Sequence, residues 1–292
     1  MVPLVLYHNK CLDGFTAAWV VNTAHPDWEF IGVDYHDVES QQSLVWTARG
    51  RDVYFLDFCP SHEILLSMAK TSPQIVVLDH HQTALKELHD LPTNVQFVHD
   101  VNHSGCMLAW HWFYPNECPP ILLTYVEDRD LWKFELEDTR PFCLGLETHP
   151  MTFEEWDIIA SDTLWTYREQ IIEDGELLLQ ARAHTVSLLC ENKFKVVIGD
   201  HVVWATMSPH YLASDVANTL ATDESFAVSF CIEPNSSGTP RLLFSLRSTP
   251  EGIDVSEVAA KYPGGGGHKH AAGFDVAVED FIKFLMEDDH DS

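Results

Sequence analysis

The chain has 292 residues, enough for one large domain or two ordinary ones. Its 46% apolar and 11% aromatic content allows real cores, which excludes a disordered chain. Acidic residues outnumber basic ones 45 to 17, for a net charge of -28. Long duplex nucleic acid is therefore not an expected partner, because it needs a face rich in Lys and Arg. A small anionic substrate remains compatible, since a bound metal inverts the field close to itself. The seven cysteines are odd in number and scattered, without a C-x-x-C pair, so reduced thiols and a cytoplasmic location are expected. The first residues lack the basic region and apolar run of a signal peptide, and no stretch reaches ~18 consecutive apolar residues. No membrane partner is expected, and a homodimer is the assembly considered.

The first half alternates short apolar runs with helical patterns. Strands are expected at 3–8, 28–35, 52–58, 74–80 and 95–100, with helices at 13–24 and 61–70. Continuous rather than alternating apolar runs suggest strands buried on both faces of a mostly parallel sheet. From about 104 to 190 the pattern is mainly helical, at 104–114, 119–132, 152–162 and a long connecting helix over 164–189. Strands return at 194–200, 202–207, 226–233 and 241–248, with helices at 211–221 and 254–262. The four glycines at 264–267 precede a helix-compatible 268–274. The fold class is thus α/β. A mostly parallel N-terminal sheet flanked by helices is joined by a long helix to a smaller C-terminal α/β domain, with the boundary between 1–190 and 191–292.

In parallel sheets, ligands sit beyond the carboxyl ends of the strands. Here those ends carry a consistent chemistry. The first ends at His8, with Asp13 just beyond; the third ends at Asp57; the fourth ends at Asp79, His80 and His81. Asp128 and Asp130 follow in a helical segment. Carboxylates and imidazoles on one edge suit one or two Mn²⁺ or Mg²⁺ ions, and such a pair can position a nucleophile at phosphorus. Each residue also has a plainer reading. Asp57 and Asp79 can cap the turns that follow, and His8 can be structural. Ser104 is an N-cap candidate for the helix it opens, and with His103 it can face a phosphate. What favours the site is that three separate strands end in ligand-type residues.

"VLDHHQT" (77–83) resembles the signature of the DHH phosphoesterases, a family that includes RecJ-type exonucleases and nanoRNases. "YHNKCLDGFTAAW" (7–19), "YFLDF" (54–58) and "YVEDRDLW" (125–132) resemble three further motifs of that family in its order. "SLRS" (245–248) and "GGGGHKHAAGF" (264–274) resemble its DHH-associated C-terminal domain. The resemblance implies two metal ions, Mn²⁺ first and Mg²⁺ as alternative. His8, Asp13, Asp57, His80 and Asp128 would be ligands, with Asp57 bridging and Asp130 the alternative to Asp128. It implies His81 against the substrate phosphate and Asp79 orienting the imidazoles. It also implies that Arg247, Gly265, Gly266, Gly267 and His268 bind the substrate's terminal phosphate and base. One departure stands out. Cys11 occupies a place where related enzymes often have an acid and where an exopolyphosphatase-like sub-branch carries a similar cysteine; a small buried apolar role is the favoured reading.

The expected activity is Mn²⁺-dependent phosphodiester hydrolysis of short oligonucleotides or small nucleotides. Alternatives are a phosphatase acting on pAp, cyclic dinucleotides or polyphosphate, a nucleotide-binding module that has lost catalysis, and a zinc hydrolase. Zinc is disfavoured because the strand-end groups are mostly carboxylates.

Overall fold

A computed structural model describes residues 1–33, 38–161, 166–235 and 237–285. The chain runs β1 (Leu4–His8), α1 (Leu12–Ala24), β2 (Glu29–Val33), α2 (Val38–Thr47), β3 (Val53–Leu56), α3 (His62–Ala69), β4 (Ile75–Asp79) and β5 (Val95–His99). Then come α4 (Gly105–Phe113), α5 (Ile121–Asp130), α6 (Thr139–Leu146), α7 (Phe153–Ala160) and the long α8 (Thr166–Glu191). Asp34 and Tyr35, expected to end the second strand, lie outside the described residues, as do Asp162, Leu164 and Trp165, expected in helices.

The first five strands pair only in parallel, in the order β2-β1-β3-β4-β5. Strand alternation sends Val5, Leu56, Val76 and Leu78 to one face, where they pack with residues of α1 and α4 to α8. Leu4, Leu6, Val53, Phe55, Ile75 and Val77 pack on the other face with α2 and α3. Burial on both faces explains why these strands read as unbroken apolar runs. The strand order reverses between β1 and β3, which places a crevice at their carboxyl ends.

The contacts divide the chain into Met1–Leu179 and Gln180–Ser292, so the division falls inside α8. The second unit contains β6 (Phe194–Ile198), β7 (His201–Met207), α9 (Ala213–Leu220), β8 (Ala227–Pro234), β9 (Pro240–Arg247), α10 (Val255–Ala259), β10 (Gly266–His268) and β11 (Ala271–Ala277). Its mixed sheet has the order β10-β11-β9-β8-β7-β6, in which only β7 and β8 are parallel neighbours. Phe230, Phe244 and Phe274 fill one side of this sheet with α10; Val216 and Leu220 of α9 cover part of the other.

Residues 268–274 are a correction: they form a β-hairpin, not a helix. Gly267 has φ +143°, and a Cβ there would lie 2.6 Å from the Ala271 carbonyl oxygen, so the hairpin needs glycine. Helices α2 and α6 are additions to the expected set.

Helices α6 and α8 approach through glycines. A Cβ on Gly175 would lie 1.8 Å from the Pro141 carbonyl oxygen, and one on Gly145 would lie 2.0 Å from that of Ile171. Gly to Ala inside a helix ordinarily gains ~1 kcal/mol. Here Gly175→Ala should instead destabilise by about 1–3 kcal/mol through overpacking, read as a lowered melting temperature. An unchanged or raised melting temperature would contradict the close approach.

Candidate metal centre

Asp57 follows the last residue of β3 and is 1% exposed. Its backbone is left-handed, with φ 58°. That region is uncommon for residues with a Cβ, and Asp is among those that tolerate it best. Its amide donates to the Leu78 carbonyl at 2.9 Å, which ties the strained residue to β4. Both carboxylate oxygens are engaged: Oδ2 lies 3.2 Å from His8 Nδ1, and Oδ1 lies 3.2 Å from His80 Nε2. His81 Nδ1 stands 3.9 Å from the same Oδ1. Groups from β1, β3 and β4 therefore converge on one acid.

Asp13 enters from the first turn of α1. Its carboxylate accepts the Gly105 amide at 2.6 Å and the Cys106 amide at 2.9 Å, so it satisfies the amino end of α4. Its Oδ2 also lies 3.9 Å from His80 Nε2. The approach needs a bare backbone, because a Cβ on Gly105 would sit 2.5 Å from the Asp57 Cβ. Gly105 carried no signal in the sequence.

Ser104 is at the N-cap position of α4 but makes no capping bond there. It is fully buried, and its Oγ is 3.3 Å from Cys106 Sγ. Neither the cap nor the substrate-binding role expected of it fits; the Asp13 carboxylate does the capping. His103, expected beside it, pairs with Glu127 at 3.1 Å.

Asp128 is also a correction. Its carboxylate accepts the amides of Glu135 at 2.9 Å and Leu136 at 3.2 Å, and the Thr139 hydroxyl. It organises the loop after α5 and takes no part in the cluster. Asp130, two residues on and about 200° around the helix, points the other way. Its Oδ2 is 3.4 Å from His80 Nε2. Cys11 also departs from its favoured reading. Its Sγ lies within 4.8 Å of ligating atoms of His8 and Asp57, so it joins a donor set.

Asp79 and His81 form a second pair. The His81 ring nitrogen Nδ1 lies 2.7 Å from Asp79 Oδ1, which also accepts the His81 amide at 3.1 Å. With Asp79 ionised, Nδ1 must carry the proton. The His81 carbonyl is bonded in turn by His99 Nε2 at 3.0 Å.

Crowding sets the proton affinities. Burial and the neighbouring Asp57 and Asp130 charges raise the Asp13 carboxyl well above the usual range. Burial and Asp57 raise Asp130 as well. Burial alone would also raise Asp57, but hydrogen bonds from His8 and His80 and the His81 charge take it below the ordinary carboxylate range. Burial works against charging His80, yet Asp57, Asp130 and Asp13 together push it up to about 9. The hydrogen bond to Asp79 raises His81 against a smaller effect of burial. Burial, with Asp57 and Asp13 nearby, pushes the Cys11 thiol far up.

This arrangement fits divalent cations. Asp79 Oδ2 is buried without a hydrogen-bond partner, which is costly unless something positive meets it, and Asp130 Oδ2 is buried with only the His80 ring 3.4 Å away. Three overlapping sets keep their ligating atoms within 4.8 Å: Asp57 with Asp79, His80 and His81; His8 with Cys11 and Asp57; and Asp13 with His80 and Asp130. Asp57 and His80 each belong to two sets, as groups shared by a metal pair would. Four of the eight donor residues are carboxylates, and a mixed set of carboxylates and imidazoles suits Mn²⁺, with Mg²⁺ the alternative.

In the second unit, β9 and β11 pair Arg247 with Ala271, and β11 and β10 pair Ala271 with His268. Residues directly opposite share a face, so Arg247 and His268 flank a small alanine, with Cα atoms about 10 Å apart. The Arg247 guanidinium donates to Ser214 Oγ at 2.7 Å and to the Leu246 carbonyl at 2.8 Å. Burial lowers its pKa, and no carboxylate among the described residues pairs with it. Gly266 has nothing within 4 Å of where a Cβ would stand, whereas Gly265 packs against the Ala259 carbonyl.

A parallel sheet with acids and imidazoles gathered at its switch point, followed by a second sheet domain, defines a two-unit α/β protein with a candidate metal centre. Residues 211–288 match the model of the DHHA1 domain. An uncharacterized protein of Acanthamoeba polyphaga mimivirus is 26% identical, covering 99% of this chain and 71% of its own length. The oligoribonuclease NrnB of Bacillus subtilis is 25% identical over 73% of this chain and 56% of its own length. The crystal structure of RecJ from Thermus thermophilus in complex with Mn²⁺ shares the fold, with a TM-score of 0.55 and 14% identity. It covers 96% of this chain, and the chain spans 50% of it. The chain thus carries a C-terminal DHHA1 domain, and in sequence and fold it is similar to DHH-type proteins such as NrnB and RecJ. No helix among the described residues is long and apolar enough to cross a membrane.

Proton linkage gives a test. His80 binds its proton more tightly folded, near 9 against an ordinary 6.5, so its contribution to stability is full below 6.5 and is lost as pH rises through 9. The raised Asp13 and Asp130 act in the same direction. Without metal, the melting temperature should fall between about pH 6.5 and 9, and MnCl₂ should raise it more at the alkaline end, where cations compete with fewer protons. Scanning calorimetry checks this; a metal-free melting temperature that rises across the window would contradict it.

Proposed function

We propose that this chain is a divalent-cation-dependent phosphodiesterase that shortens small oligonucleotides from one end, with Mn²⁺ the favoured ion and Mg²⁺ the alternative. The observation that carries this reading is the convergence of three strand ends on the strained, buried Asp57. The name of NrnB, an oligoribonuclease, and the Mn²⁺ bound by RecJ support it. His8, Asp13, Asp57, His80 and Asp130 would hold the ions, with Cys11 and Asp79 in reach. Bound ions of this kind supply Lewis-acid polarisation of phosphoryl oxygens and offset the charge that develops there.

The chain's own residues do the rest. Asp79 fixes the His81 ring and favours its protonated form, so His81 can donate a hydrogen bond or a proton to a phosphate oxygen. His81 is 38% exposed, enough to meet a ligand. Arg247, His268 and the Gly265, Gly266 and Gly267 segment are proposed as the anion-binding set of the DHHA1 domain. The domains are taken as 1–190, catalytic, and 191–292, substrate-binding. The acidic surface, at net charge -28, favours short substrates over long polymers.

RNAs of about two to five nucleotides, roughly what one pocket holds, should be cut in MnCl₂ with release of mononucleotides, read by chromatography. Asp57→Asn keeps a residue that tolerates left-handed backbone but removes a ligand charge. It should lower kcat by at least about a hundredfold, beyond what loss of an outer hydrogen bond costs. Absence of cleavage with Mn²⁺, or full activity in Asp57→Asn, would overturn the proposal. Arg247→Ala should raise KM while leaving Mn²⁺ affinity unchanged by calorimetry; an unchanged KM would refute its role.

A further inference from the structure

The loop after Asp130 is the most unusual backbone next to the cluster. Trp132 and Phe134 both have left-handed φ, at 56° and 52°. Bulky side chains rarely adopt this region, and each instance costs about 1–3 kcal/mol. The surrounding contacts hold it there. The Trp132 amide donates to the Arg129 carbonyl at 3.0 Å, and the Lys133 amide to the Asp128 carbonyl at 3.0 Å. The Asp128 carboxylate collects the Glu135 and Leu136 amides and the Thr139 hydroxyl. The Arg140 guanidinium lies 3.7 Å over the Phe134 ring and 5.8 Å from the Trp132 ring, and the two rings meet edge to face at 4.8 Å.

This strained, braced loop leaves its largest side chain in solvent: Trp132 is 69% exposed. Burial of the indole therefore does not explain the loop. Its position does suggest a use. Asp130 lies 3.4 Å from His80, and two residues of chain span at most about 7 Å, so the Trp132 backbone is close to the cluster. Lys133 Nζ reaches the Asn102 carbonyl at 3.4 Å, in the segment that leads to α4 and to the contact of Gly105 with Asp13.

We propose that Trp132 is a stacking platform for a nucleobase beside the cation centre, with Asp128 and Arg140 as its positioning residues. The inference rests on the phosphodiesterase reading and narrows it to base-bearing substrates, away from polyphosphate. An indole face accepts any base, so the selection is for the presence of a base rather than for its sequence. Bracing the ring in advance lowers the ordering cost when a base binds.

The test compares wild type, Trp132→Ala and Trp132→Phe in MnCl₂ on the dinucleotide pApA and on the same dinucleotide lacking its bases. Trp132→Ala should raise KM for pApA about tenfold, leave kcat nearly unchanged and leave the abasic substrate unaffected, and Trp132→Phe should restore most of the loss. Equal losses on both substrates, or an unchanged KM for pApA, would overturn the proposal. If wild type cuts neither substrate, the phosphodiesterase reading fails and calorimetry decides the stacking separately. A wild-type preference for AMP over ribose 5-phosphate that Trp132→Ala abolishes would support it. No preference, or one that survives the substitution, would overturn it.

Discussion

Like charges brought together in a dry place are the constraint on which this molecule turns. Asp13, Asp57 and Asp130 all contact one imidazole, that of His80, within 4 Å. Two like charges about 4 Å apart repel by about 4 kcal/mol at an effective dielectric near 20, so three ionised acids there are unfavourable alone. The metal-free chain responds by raising two carboxyls and charging His80. A fold that keeps such a cluster, holds Asp57 in a left-handed backbone and leaves Asp79 Oδ2 buried without a hydrogen bond offers a set of donors that fits cations.

The sheet was legible in the sequence because it is buried on both faces, which turns each strand into an apolar run with an abrupt polar end. His8, Asp57, Asp79 and His80 could be named from those ends alone, and the structure brings them together. Helix α2 was not legible, since "VESQQSLVWT" carries few apolar residues at helical spacing. Helix α6 was hidden by Pro141 in its first turn and by Gly145, which serves packing against α8. The choice between Asp128 and Asp130 lay beyond sequence. Residues two apart on a helix point to opposite sides, and only the loop that Asp128 caps decides which side faces the cluster. Ser104 had the right residue type for an N-cap, but a carboxylate from α1 took the position.

The DHHA1 domain solves a different problem with similar economy. A hairpin needing glycine at Gly267 sets His268 opposite Ala271, and Ala271 opposite Arg247. The half-buried Arg247 guanidinium is held by a serine hydroxyl and a carbonyl, and no carboxylate among the described residues pairs with it. In the first unit, the loop braced by Asp128 presents an indole.

Anomalous diffraction from crystals soaked in MnCl₂, recorded at the manganese edge, tests the central claim most directly. Two peaks flanking the Asp57 carboxylate, one toward His8 and one toward His80, are expected. Strong peaks elsewhere with none at Asp57 would contradict the account.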